Sequence, residues 1–314
     1  MTYQTRLPEN PFLADVLTGL NEPQKSLPCR WLYDKRGSHL FEEITELPEY
    51  YPTRTERSIL TACASAVADH VGPGAVMVEY GAGSSIKTRL ILDALSDPSL
   101  YVPIDVSSAY LDDTARQFEA DYETLQVTPV VGDFLSPVDL PRGEGAGRRV
   151  GFFPGSTVGN LSDDEIDRFL RHARRTLGDN GMLLIGVDLR KSEDVLVPAY
   201  DDEQGVTAAF NLNILRRINR ELDADFDLEA FQHEARWNDE KSRIEMHLVS
   251  VKDQDVHLAD QTIHFTKGET IHTENSRKFS LDQISAMAAR TGWRVADSWT
   301  DAKDYFSVQL FEAV

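Results

Sequence analysis

Glu79-Tyr80-Gly81-Ala82-Gly83-Ser84-Ser85-Ile86-Lys87-Thr88 follows the apolar run Ala75-Val76-Met77-Val78, and its reading decides the fold. Two glycines one residue apart, at the exit of a strand-like run, mark a backbone that must approach a ligand closely. The dinucleotide fingerprint wants a third glycine three residues after the second, where it lets the helix pack on the strand, but that position is Ile86. A phosphate loop fails as well, because Lys87-Thr88 is preceded by Ile86 rather than glycine. What remains is an acid, a spacer and Gly-x-Gly at a strand end.

Outward from this turn, short buried-strand runs alternate with helical patterns. AVMVEY (75–80) precedes the helix SIKTRLILDAL (85–95), the strand YVPIDV (101–106), the helix SSAYLDDTARQFEADY (107–122) and the strand VTPVVGDF (127–134). RRVGFFPG (148–155), the helix SDDEIDRFLRHARRTL (162–177) and GMLLIGVDL (181–189) continue the series. Strands separated by helices of this length imply right-handed crossovers and a mostly parallel, doubly wound α/β sheet covered on both faces. Before it, Ile59, Leu60, Cys63 and Val67 recur at helical spacing and stop at Gly72-Pro73-Gly74.

After Leu189 the rhythm changes. Residues 200–221 read as one long helix, and RIEMHLVSVKDQDVHLADQTIHFTKGET (243–270) reads as antiparallel strands of period two. The tail returns to the first pattern with a helix (281–292) and two strands joined by a short turn. The expected organisation is a nucleoside-binding domain of residues 56–190 and 279–314, and an inserted α+β substrate-recognition domain of residues 1–55 and 191–278.

Glu79 sets negative charge beside Gly81 and Gly83, which suits a ligand presenting an amino-acid-bearing sulfonium rather than a pyrophosphate. Asp105 ends the next strand 22 residues after Gly83, the place for a carboxylate that accepts from ribose hydroxyls. Asp133 and Phe134 end the third, where a carboxylate accepts from an adenine amino group and a ring stacks. Together they describe S-adenosylmethionine, although each alone also suits a cap or a turn. Lys87 would meet the carboxylate of the methionine moiety or stay solvated.

The loop Pro154-Gly155-Ser156-Thr157-Val158-Gly159-Asn160-Leu161 lies where open α/β sheets bind substrates. Gly155 permits close approach and Asn160 offers both donor and acceptor, unless it caps the helix after it. A net charge of −20 makes nucleic acid and anionic membranes poor partners. The two cysteines, Cys29 and Cys63, form no CxxC pair, and no basic start with an apolar core opens the chain; a cytoplasmic enzyme without a metal is expected. His247, His257, His264 and His272 are spaced by 10, 7 and 8 residues, none at helical metal-pair spacing, and read as surface strand residues.

Six segments in order, KSLPCRWLYDKRGSHLFEEITELPEYYPTRTE (25–56), EYGAGSSIKT (79–88), PGSTVGNL (154–161), AYDDEQGVTAAFN (199–211), RIEMHL (243–248) and TENSRKF (273–279), closely resemble the bacterial L-histidine Nα-methyltransferases of ergothioneine biosynthesis. The glycine turn departs from the actinobacterial Glu-Leu-Gly-Ser-Gly-Thr but keeps the acid and both glycines. The resemblance implies a class I methyltransferase that converts histidine, through its mono- and dimethyl forms, to the trimethylated betaine hercynine. It implies that Asn160 and Tyr200 hold the substrate carboxylate, that Glu274 and Ser276 read the imidazole, and that Tyr50 and Gly155 line the pocket. Tyr33 and Phe41 would lie near the amine and Met246 beside the ring, with Tyr33 the candidate proton acceptor through water. A monomer is expected, with the substrate-recognition parts closing over the fourth-strand loop. The rivals are a methyltransferase for a tryptophan derivative, which Glu274 and Met246 disfavour, and a sensor that binds the nucleoside or a betaine without turnover.

Overall fold

A computed structural model describes residues 10–82, 85–106, 108–138, 140 and 147–314. The chain divides into two compact units, one of Pro52–Arg190 with Lys278–Val314, the other of the residues up to Tyr51 with Lys191–Arg277. In chain order, α1 (Pro11–Leu20), α2 (Lys35–Thr45) and α3 (Tyr51–Val71) lead into β1 (Val76–Tyr80), α4 (Ser85–Leu92), β2 (Leu100–Asp105) and α5 (Ser108–Asp121). Next come β3 (Gln126–Val127), β4 (Val130–Val131), β5 (Arg149–Phe153), α6 (Asp163–Leu177), β6 (Met182–Asp188), α7 (Glu193–Leu196) and α8 (Val206–Leu222). The chain ends with β7 (Phe231–Asn238), β8 (Arg243–Ser250), β9 (Gln254–Leu258), β10 (Gln261–Phe265), β11 (Thr270–Arg277), α9 (Leu281–Arg290), β12 (Trp293–Thr300) and β13 (Phe306–Ala313).

The unit that contains the glycine turn is built on an eight-stranded sheet in the order β12-β13-β6-β5-β1-β2-β3, with β4 also on β2. Neighbours from β6 to β3 run parallel, and the β12–β13 hairpin adds antiparallel to β6. Every residue of β1 and β6 is buried, as expected where helices cover both faces of a parallel sheet. Ile59, Leu60 and Val67 of α3 fill one face, while Phe169 and Leu170 of α6 and Ile284 and Met287 of α9 fill the other. Each such side chain contributes roughly 1.5–3 kcal/mol on burial. Gly186 of β6 is required by close approach: a Cβ there would lie 1.9 Å from Glu56 Oε1. The expected strand 127–134 is instead two short pieces, β3 and β4, because Pro129 between them lacks the N–H that a continuous ladder needs.

In the second unit, β11, β8 and β7 form an antiparallel sheet and β9 pairs with β10 as a hairpin. Strands β7 and β11 extend the sheet beyond the strands read from the sequence. The helix expected over 200–221 starts only at Val206. Asp202 stops the preceding turn by accepting from the backbone N–H of Val206 at 3.0 Å and of Thr207 at 2.8 Å. Residues 201–205, DDEQG, hold no apolar side chain and end in Gly205 at φ +73°, a break that the expectation of one helix passes over.

Candidate active site

In the sheet unit the residues assigned to the nucleoside lie at the carboxyl ends of the parallel strands. Gly81 takes φ +76°, which its lack of a Cβ permits, and its N–H donates to Ile104 O at 2.9 Å. A Cβ on Gly81 would sit 3.8 Å from the ring of Phe134, so that ring covers the turn. Phe134 packs edge-on against Phe153 and Phe169 at 5.3 and 5.7 Å between centroids. Asp105 closes β2, half-buried, and Asp133 is exposed, where it accepts from Leu135 N at 2.9 Å as a turn residue does. Gly83 lies outside the described residues.

Glu79 is buried, 2% exposed, and accepts from Thr88 Oγ1 at 3.0 Å and from the Tyr101 hydroxyl. Burial pushes its carboxyl up to about 7, against the opposing pull of those hydroxyls and of Lys87. Lys87 is not solvated: its ammonium pairs with Glu56, which is buried and also accepts from the Gly155 N–H through both oxygens at 2.9 Å. Glu56 thereby ties the first helical turn after the glycines to the loop after β5. Asn160 is half-buried and ends a 3-10 turn; the cap of α6 is Ser162, which forms a capping box with Glu165. Asn160 is thus spared the capping role.

In the other unit a small cavity, partly open to solvent, is walled by Phe41, Tyr50, Tyr200 and Phe210, with Met246 and Glu274 on the sheet side. Asp34 starts α2 by accepting from Gly37 N at 2.8 Å and takes Asn213 Nδ2 of α8 at 2.8 Å, which pins α2 to α8 and Phe41 to Phe210. Edge-to-face contacts link Tyr33 to Phe41 (5.4 Å), Phe41 to Tyr50 (6.2 Å) and Tyr50 to Tyr200 (6.0 Å). A register shift between His272 and Glu274 makes Thr273 and Glu274 successive buried residues. It puts Glu274 directly across from Met246 and Ser276 across from Ile244, and the Ser276 hydroxyl meets that of Tyr200 at 2.7 Å. Tyr33 keeps 37% of its surface exposed, yet burial around its hydroxyl, with the Glu274 charge nearby, holds its pKa well above the usual value. It is a neutral phenol at neutral pH. Of the nine substrate-side assignments the structure gathers Tyr33, Phe41, Tyr50, Tyr200, Met246, Glu274 and Ser276 in this unit; Gly155 and Asn160 belong to the other. Ile44, Ala199, Thr207 and Phe210 also line the cavity and were not anticipated. Thr207 and Phe210, three apart on α8, carried the only signal, a shared helical face.

Two of the four histidines are not surface residues. His247, 4% exposed, and His272 are cross-strand partners with rings stacked 4.8 Å apart at 16°. With Glu245 they form a group of metal-ligating residue types whose ligand atoms lie within 4.8 Å of one another. Burial and the His272 neighbour push His247 down to about 4. Burial would raise Glu245, but Arg243, bound at 2.6 Å, holds it at about 2. The two rings lie in near-parallel planes, a poor disposition for lone pairs that must converge on one ion, and Arg243 already engages the carboxylate. His257 and His264 are exposed, as read. Among the described residues no helix is long and apolar enough to cross a membrane.

A family model described as histidine-specific, S-adenosylmethionine-dependent methyltransferase matches residues 12–313. The chain is 43% identical over 302 residues to the histidine N-alpha-methyltransferase of Mycolicibacterium smegmatis, covering 94% of this chain and 93% of that protein. It is 44% identical over the same shares to the enzyme of that name from Mycobacterium tuberculosis. It is 29% identical to ergothioneine biosynthesis protein 1 of Neurospora crassa, covering 93% of this chain and 34% of that one. With a parallel sheet ending in an antiparallel hairpin, the fold is that of a class I methyltransferase, and the chain belongs to the histidine-specific, S-adenosylmethionine-dependent methyltransferase family.

Proposed function

We propose that this enzyme methylates the α-amino nitrogen of L-histidine three times in succession, giving hercynine for ergothioneine biosynthesis. The observation that carries the reading is the bulge in β11, which turns Glu274 into an aromatic cavity opposite Met246 and sets Ser276 against Tyr200. A carboxylate and a hydroxyl are the groups that distinguish an imidazole N–H from an apolar ring, because a buried charge without its partner is costly. The cosubstrate supplies an electrophilic methyl carbon on a sulfonium. Gly81, Gly83, Asp105, Asp133 and Phe134 are assigned to hold its nucleoside, and Glu79 and Lys87 its methionine part. For Lys87 this requires the Glu56 pair to open.

Tyr200 is assigned to the substrate carboxylate, as is Asn160, and Gly155 to the lining. Methyl transfer needs a neutral amine at near-attack distance, so positioning supplies most of the acceleration. In each transfer the nitrogen lone pair forms the N–C bond as the C–S bond breaks, and S-adenosylhomocysteine leaves. The ammonium forms present at the start and after the first and second transfers each give up a proton to water before the next attack. Because Tyr33 stays protonated, it orders that water rather than taking the proton itself. The rings of Tyr33, Phe41 and Tyr50 offer faces to the growing methylammonium.

Incubation with S-adenosylmethionine and histidine, tryptophan or phenylalanine, followed by mass spectrometry, tests this reading. Trimethylated histidine is expected. A methylated tryptophan would move the assignment to another aromatic amino acid, and bound nucleoside without turnover would make the protein a sensor.

A further inference from the structure

A buried amide and a buried imidazole stand behind the cavity wall, outside every role assigned so far. Asn211 of α8 is fully buried and uses all its hydrogen-bonding groups but one lone pair. Its Nδ2 donates to the backbone carbonyl of His247 at 3.1 Å, and its Oδ1 accepts from Thr273 Oγ1 at 2.6 Å. The carbonyl fixes the amide orientation, since a flip would set oxygen against oxygen. The second N–H of Nδ2 therefore points to His233 Nδ1 at 2.9 Å, and that nitrogen must accept. The proton of a neutral His233 is then on Nε2, which donates to the backbone carbonyl of Tyr200 at 2.8 Å. One carbonyl on β8 thus dictates the tautomer of a histidine on β7 two bonds away.

We propose that Asn211 and His233 are positioning residues for histidine recognition, His233 clamping Tyr200 through its Nε2–H while Asn211 holds Thr273, the neighbour of Glu274. The two residues touch none of the reacting atoms. They join the two sides of the cavity that would read the substrate, Tyr200 with Ser276 on one and Glu274 on the other. Asp201, Asp202 and Glu234 surround His233 and favour its charged form, yet burial, the larger influence, keeps its pKa below the usual value. A protonated His233 would face Asn211 donor to donor and break the chain of bonds.

This inference rests on the histidine-binding reading of the cavity, so its test has one arm that needs no turnover. In the wild-type protein, labelled at its histidine ring nitrogens, nitrogen–proton correlation spectra give the tautomer of His233, assigned through contacts with the Asn211 amide. The expected signature at neutral pH is an unprotonated Nδ1 and a protonated Nε2; an Nδ1-protonated or charged ring at neutral pH overturns the proposal. The kinetic arm uses two variants. The amide nitrogen of His233→Gln reaches about where Nε2 stood and that of His233→Asn only to Nδ1, so KM for histidine should rise about tenfold in the Asn variant and much less in the Gln variant, with KM for S-adenosylmethionine unchanged in both. Equal losses in the two variants, or both KM values moving together, would reduce the pair to general packing. If histidine is not a substrate at all, the function proposed above fails while the tautomer result stands by itself.

Discussion

Replacing Glu79 by glutamine should change how stability depends on pH more than stability itself. The carboxyl is 2% exposed and its pKa stands at about 7 against an ordinary 4.5. Between those values the folded chain binds a proton that the unfolded chain has released, so folding is favoured by acid. The contribution is complete below pH 4.5 and is lost as the pH rises through 7. At ~1.4 kcal/mol per pKa unit, the difference between these two values amounts to about 3 kcal/mol, and Glu79→Gln has none of it. Urea unfolding of both proteins across this range, read as wild type minus variant, cancels the other titrating groups. The difference should fall by about 3 kcal/mol from the acid to the alkaline end, and less with S-adenosylmethionine bound if its sulfonium favours the ionised carboxylate. A difference that is flat, or that rises with pH, would refute the burial argument.

Tyr80 keeps a hydroxyl in the core that meets no partner among the described residues, and Tyr80→Phe should stabilise the protein by roughly 1 kcal/mol in the same denaturant assay. Lys278 and Asp188 form a fully buried ion pair at 2.7 Å, beside the Asp188 N–H bonded to Ser156 Oγ at the start of the fourth-strand loop. Lys278→Met alone should cost about 3–5 kcal/mol, whereas adding Asp188→Leu should restore most of it, since no lone charge is then left inside. Tyr200→Phe and Ser276→Ala each break the 2.7 Å hydroxyl contact, so their effects on KM for histidine should be non-additive in a double-mutant cycle, with the double variant no worse than about twofold below the poorer single.

The sheet unit was legible because its strands are short, buried on both faces and separated by helices, so periodicity and punctuation agree. Glu79, Asp105 and the glycine turn sit at strand ends, which sequence order alone locates. The second unit was harder. Its antiparallel strands carry polar outer faces, and a bulge between His272 and Glu274 breaks the period-two alternation where it would have mattered most. Spacing in sequence likewise says nothing of His247 and His272 meeting across two strands 25 residues apart. Glu274 and Ser276 were found only through resemblance, for a carboxylate in a strand looks the same to composition whether it faces a cavity or water. The Lys87–Glu56 pair was illegible for a related reason, Glu56 lying 31 residues earlier on a separate helix.

The most direct test of histidine recognition is the ratio of kcat/KM for histidine to that for tryptophan, in the wild type and in Glu274→Leu. A cavity that reads the imidazole with a buried carboxylate predicts that the ratio falls at least about a hundredfold, mainly through loss of histidine. An unchanged ratio, with activity retained, would mean that Glu274 does not read the ring.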